Sequence, residues 1–243
     1  MSAYRISPSQ INLFLNEPAI WILNRFFGVY GDFGASAKRG NCVELGLNKV
    51  LLNGLTFDEA LGQVLHIYDT DMEEIYDEKK EAERENIGPM LEQAIDLFLN
   101  IDPPQKTQIR IEPDVLDLPI LGIADYDMGE YMVDLKTTSR CPSCVENLSS
   151  EHIRQTTIYY LGSNKPQKLA YVTPKKNALY EVTKEQMETA EKEIRAAAEA
   201  MRAAYDIEEK QGKDALAVLY PPRDTKNFYW DNKTLNAAQG IWF

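Results

Sequence analysis

The sequence predicts an α/β fold, a central mixed β-sheet flanked by helices, with a helical insertion and a long C-terminal helix. Three observations carry this. Residues 118–138, LPILGIADYDMGEYMVDLKTT, read as two strands and a tight turn. Shorter strand-like runs, 108–115, 168–173 and 179–182, are interleaved with a helical segment at 151–161. Long stretches with helical spacing cover 37–52, 56–99 and 183–211. The 243 residues are 44% hydrophobic, enough for one large core. We read a single domain over 1–243, with 56–100 as a helical insertion and 183–243 as a helical and irregular extension.

Taken in order, Ser7-Pro8-Ser9 opens a helix, because serine caps and proline suits the first turn. Pro18 divides the following apolar stretch into two helices. Residues 28–35 form a Gly-rich turn without the lysine of a phosphate-binding loop. On helix 37–52, Val43, Leu47, Val50 and Leu51 mark the buried side, and Glu44 lies on or beside it. A carboxylate there needs a partner, either a salt bridge to Lys38 or Arg39 or a metal ion. Thr56 to Leu99 is helical with a break expected at Gly88-Pro89, and Thr56-Phe-Asp-Glu59 has capping-box spacing. Ile101 to Thr107 is a linker, and the strand after it runs toward Val115, with Glu112 a secondary candidate acid at an edge.

Ile120–Asp127 and Tyr131–Thr138 are the strands of the central hairpin. Alternation puts Asp134 and Lys136 on one face, with Val133 and Leu135 on the other. Asp125 shares a face with Ile123 and Leu121. Ionised aspartates inside apolar strands are costly without compensation. Two of them meeting a lysine across a hairpin point to a divalent cation and to phosphodiester chemistry. Ser139 to Ser150 is a polar loop, disordered or in contact with substrate. On the helix that follows, Gln155 and Tyr159 share a face. The last long helix buries Met187, Ile194, Ala198 and Met201, and the aromatic tail from Tyr220 serves packing.

Composition excludes several classes. No apolar run reaches membrane-spanning length, and the start lacks a signal-peptide pattern, so a cytoplasmic protein without a membrane partner is expected. Cys42, Cys141 and Cys144 are too few for a secreted disulfide framework. His66 and His152 are poorly spaced to complete a zinc site with Cys141 and Cys144, which read as two loop thiols. The formal net charge of −12 argues against loose binding to duplex DNA, yet a local groove can still be basic. Much of the acid lies between Asp69 and Glu85, read as a solvated helix face.

The ordered set resembles the PD-(D/E)XK nuclease superfamily, in its RecB-like and lambda-exonuclease-like branches. The matching residues are Arg39-Gly40-xxx-Glu44, Gly122-Ile-Ala-Asp125, Asp134-Leu-Lys136-Thr137-Thr138 and Gln155-xxx-Tyr159, with Ser7-Pro-Ser9 resembling the serine-rich first helix. Ala124 replaces the motif's proline, and Glu44 stands where RecB-like members often carry histidine. The resemblance implies a restriction-endonuclease-like core and one or two Mg²⁺ or Mn²⁺ ions held by Glu44, Asp125, Asp134 and the Leu135 carbonyl. Lys136 would orient the water or stabilise charge on phosphorus, and Gln155 would position water or a ligand. Tyr159, Arg154, Thr137 and Ser139 are the expected nucleic-acid contacts. The tail has no cysteine, so no iron–sulfur cluster is expected. The implied function is a DNA exonuclease for recombination, repair or phage DNA processing, in a bacterial or infected-host cytoplasm. Its substrate would be DNA with an accessible end, and a ring-shaped homo-oligomer and a single-strand-annealing partner belong to the same expectation. A structure-specific endonuclease and a non-catalytic DNA-binding subunit are the alternatives.

Overall fold

The computed structural model describes residues 5–113 and 118–243. Five strands form one mixed sheet in chain order: β1 (Lys106–Ile111), β2 (Gly122–Asp127), β3 (Met132–Thr137), β4 (Gln167–Val172) and β5 (Asn177–Glu181). β3 and β4 run parallel, and the other neighbours are antiparallel. The crossover between β3 and β4 carries helix α7 (Ser150–Ser163), as a parallel pair requires.

The N-terminal helices obey their caps. Ser7 and Gln10 form a capping box on α1 (Pro8–Asn16), and Pro18 starts α2 (Pro18–Phe27). Helix α3 (Ala35–Asn53) packs with α4 (Phe57–Asp71) and α6 (Ile87–Leu99) on one sheet face. Val43, Leu47, Tyr68, Leu91 and Phe98 meet Tyr126, Val133, Leu135, Ala170 and Val172 there. On the other face, α7 covers β1, β2 and β4 and is backed by α1 and by α8 (Lys184–Gln211). Met187, Ile194, Ala198 and Met201 of α8 are all buried.

Several expectations change. The stretch 56–99 breaks at 72–79 and again after the short α5 (Lys80–Glu85), not at Gly88-Pro89. Gly88 and Pro89 fall in the first turn of α6, where a helix has no intrahelical acceptor for its N–H groups and proline costs nothing. The acidic run 69–85 is also not one solvated face. Asp77 Oδ2 accepts from the Ala35 N–H at the start of α3, 2.8 Å away, and Glu83 takes both Ser36 and Arg39. Its carboxylates satisfy and charge-complement a helix N-terminus.

β1 starts at Lys106, inside the expected linker, and is an edge strand; the expected end at Val115 lies outside the described residues. Beyond the sequence reading, α9 (Lys213–Leu219) and α10 (Asn232–Gln239) form in the C-terminal region. An Asp231–Thr234 capping box opens α10. Trp230 is buried, and Trp242 Nε1 donates to the Ala217 carbonyl at 2.7 Å. Phe228 departs from the packing expectation and is 85% exposed.

Candidate active site

The ladder between β2 and β3 is short. Only Tyr126–Val133 and Asp127–Met132 pair as a ladder, after which β3 continues beside β4. Where the strands part, Asp125 takes over the missing bond: its Oδ2 accepts from the Leu135 N–H at 2.8 Å. The alternation expected of β3 holds. Val133 and Leu135 enter the core under α3 and α6, while Asp134 and Lys136 face α7.

Gln155 on α7 bridges the two. Its Oε1 accepts from Lys136 Nζ at 2.9 Å, and its Nε2 donates to Asp134 Oδ1 at 3.3 Å. The same Nε2 lies 2.7 Å from Tyr159 Oη, whose hydroxyl donates to the Ile123 carbonyl at 2.7 Å. Strand β2, helix α7 and strand β3 are thereby locked together through one amide. Gly122 makes room for this: a Cβ there would lie 2.6 Å from Tyr159 Cε1. Gly40 is similar but milder, with Thr137 Oγ1 at 3.1 Å from the position of a Cβ.

Glu44 reaches the group from α3. It pairs with neither Lys38 nor Arg39, which bond Asp71 and Glu83. Its partner is the side chain of Gln108. That residue occupies the β1 position opposite Asp125, between the Thr107–Tyr126 and Ile109–Ala124 pairs, and holds φ at 52°. A left-handed glutamine inside a strand is strained backbone of the kind that gathers at functional sites. Nothing in the sequence flags it, since glutamine has no preference for that conformation.

Electrostatics follow the crowding. Burial raises the Asp125 carboxyl well above its ordinary range, and Asp134 and Glu44 push it further in the same direction. Burial and Asp134 raise Glu44 as well. For Lys136, burial opposes the charge, but Asp134 and Asp125 more than offset it, and the ammonium holds its proton more tightly than usual. Asp134 is 2% exposed. Lys136 Nζ sits 2.6 Å from its Oδ2 as a buried ion pair. Three carboxylates face one ammonium. Carboxylate oxygens are the ligands a small divalent cation takes, but among the described residues no three acidic, histidine or cysteine side chains are placed, as they stand, to hold one.

The remaining candidates are dispersed. Tyr159 is inside the cluster but only 2% exposed, with its hydroxyl engaged on both sides; the structure gives it a place behind Gln155, not at the surface. Arg154 points away. It is 6% exposed, with Nε donating to Asn12 and Nη1 to Glu193, both at 2.7 Å, so it clamps α7 to α1 and α8. Thr137 accepts from Arg39 Nη2 through its carbonyl at 3.0 Å. Ser139 is exposed at the rim of an adjoining cavity. Glu112 lies outside the site, in an exposed pair with Arg110. The loop after Ser139 is folded around a 3-10 turn at Val145–Asn147 and pinned by Gln186 Nε2 to the Val145 carbonyl at 2.8 Å.

No family model and no curated protein matches the chain. Solved structures do. The crystal structure of a candidate exonuclease from Eubacterium rectale superposes with a TM-score of 0.54 at 15% identity, over 86% of this chain and 82% of that one. LHK-Exo in complex with dAMP aligns over 72% of this chain and 96% of its own at 13% identity, with a TM-score of 0.40. SSO0001 aligns over 76% and 81% at 15% identity, with a TM-score of 0.31. The first likeness, together with the mixed sheet and its flanking helices, shows that this chain has the restriction-endonuclease-like α/β fold.

Proposed function

We propose that this protein is a Mg²⁺- or Mn²⁺-dependent deoxyribonuclease that removes nucleotides from DNA ends, in recombination, repair or phage DNA processing. The observation that carries the reading is the crowding of Glu44, Asp125 and Asp134 on the one ammonium of Lys136 where β2 and β3 part. A purely structural ion pair needs one carboxylate. Crowding three together, with Asp125 and Glu44 pushed upward by burial and by Asp134, costs stability unless a cation is part of the design.

Glu44, Asp125 and Asp134 would hold the ion through carboxylate oxygens, with the Leu135 carbonyl beside them. When bound, the ion supplies charge neutralisation at phosphorus and a lowered pKa for water. The chain's own groups do the rest. Lys136, fixed by Gln155, presents a protonated ammonium that stabilises negative charge developing on the phosphate. Gln155 holds Lys136 and Asp134 at a set separation, and Tyr159 holds Gln155. Asp125 is kept in place by the Leu135 N–H.

The test is incubation with Mn²⁺ and linear or covalently closed DNA, each single- and double-stranded. Loss of linear DNA with circles intact supports an end-directed enzyme. Nicking of closed circles instead identifies an endonuclease on the same core. No hydrolysis of any substrate in Mn²⁺ or Mg²⁺ overturns the reading.

A further inference from the structure

Beside the catalytic strand lies a cavity of about 630 Å³, lined by Arg39, Ser139, Arg140, Thr173, Lys175 and Lys176 among others. Two of its walls follow on from the ends of β3 and β4. Thr137 at the end of β3 pairs with Val172 on β4, and the Thr138 N–H donates to the Val172 carbonyl at 2.9 Å. Ser139 and Arg140 therefore leave the sheet next to the turn that follows β4. That turn is set by Thr173, whose Oγ1 accepts from the N–H groups of Lys175 and Lys176 at 3.3 and 3.1 Å. The Thr173 N–H in turn donates to the Lys176 carbonyl at 3.0 Å. At the floor, Arg39 is 6% exposed and spent on Glu83 and Thr137.

Arg140, Lys175 and Lys176 differ from Arg39. All three are exposed, and none has an ion-pair partner among the described residues. In a chain of net charge −12, three uncompensated cations on one cavity are a local feature and not a property of the surface at large. The four residue steps from Lys136 to Arg140 span at most about 14 Å when extended, roughly four base steps of nucleic acid.

We propose that this groove is a phosphate track, in which Arg140, Lys175 and Lys176 contact the backbone of the DNA strand next to the scissile phosphate. The inference rests on the nuclease reading of the neighbouring site. Contacts of this type position a strand without reading its bases, so the track contributes affinity and register but no sequence preference.

The experiment is fluorescence anisotropy of a labelled oligonucleotide, single-stranded and duplex, in Ca²⁺ across a salt series. The full chain is compared with the triple variant Arg140→Gln, Lys175→Gln, Lys176→Gln. A second variant, Lys184→Gln with Lys192→Gln, removes exposed charge from the far-side helix α8. The track predicts at least tenfold weaker binding by the triple variant and a salt slope lower by roughly 2–3. It predicts wild-type behaviour from the α8 variant. Unchanged affinity and slope in the triple variant overturn it, as does an equal loss in the α8 variant or the absence of any wild-type binding. Because binding is read without turnover, a wild type that binds through the groove but fails to cut DNA in Mn²⁺ contradicts the nuclease reading and leaves the track standing.

Discussion

At the scale of single residues, the site was legible where chemistry is written in side-chain type. Asp125, Asp134, Lys136, Glu44 and Gln155 come together. Gln108 was not legible, because its role comes from a strained backbone that only the folded β1–β2 pairing imposes. We expect Gln108→Ala to free Glu44 from the one side-chain hydrogen bond it makes among the described residues and to lower Mn²⁺-dependent cleavage by about tenfold, the equivalent of about 1.4 kcal/mol. Steady-state rates on linear DNA check this. His152 offers a pH test away from the carboxylates. Burial and then Lys136 push its imidazole down to about 3, and Nδ1 sits 2.6 Å from Tyr171 Oη. The unfolded chain takes up that proton near pH 6.5 and the folded one does not, so this contribution is full above that pH and is lost as pH falls toward 3. Urea unfolding should therefore show the stability gap between wild type and His152→Gln narrowing from pH 7 to pH 4. A gap that widens contradicts the assignment.

At the scale of elements, β2, β3 and α7 behave as one unit tied by Gln155 and Tyr159. The hairpin and the helix were readable from period and turn residues. The early parting of the strands was not, since nothing local distinguishes a residue that pairs with β2 from one that pairs in parallel with β4. The same limit misplaced Arg154: helical spacing put it beside Gln155, but tertiary contacts with Asn12 and Glu193 decide where it points. Gly122 reports most directly on the unit. A methyl group there would meet the Tyr159 ring at 2.6 Å with Pro8 on its other side at 3.5 Å. Gly122→Ala is expected to cost about 1–3 kcal/mol by overpacking. It should also reduce cleavage by shifting Gln155. Chemical denaturation and cleavage rates of the single variant are the decisive pair; wild-type values for both contradict the tie between β2 and α7.

At the scale of the whole molecule, net charge was the least informative part of the sequence. The −12 is distributed as structural partners, such as Asp77 on the start of α3 and Glu83 on Arg39, and as exposed helix faces, while one groove stays cationic. Among the described residues no helix is long and apolar enough to cross a membrane. The fold places two helical layers on the sheet so that α3 brings Glu44 to Gln108 on β1 and α7 brings Gln155 to Lys136 on β3. A site with excess negative charge makes the whole fold respond to cations. Saturating Mn²⁺, at about 100 times its dissociation constant, should add about 2.7 kcal/mol and raise the Tm by several degrees. Asp134→Asn should lose most of that shift, and an equal shift in both proteins contradicts a metal site here. The most direct measurement is hydrolysis of linear DNA by purified wild type, Asp134→Asn and Lys136→Ala, with and without Mg²⁺ or Mn²⁺. The account predicts cleavage by wild type only with metal, lowered more than ~10²-fold in both variants while their circular dichroism stays native. Full cleavage by either variant, or cleavage by wild type in EDTA, contradicts it.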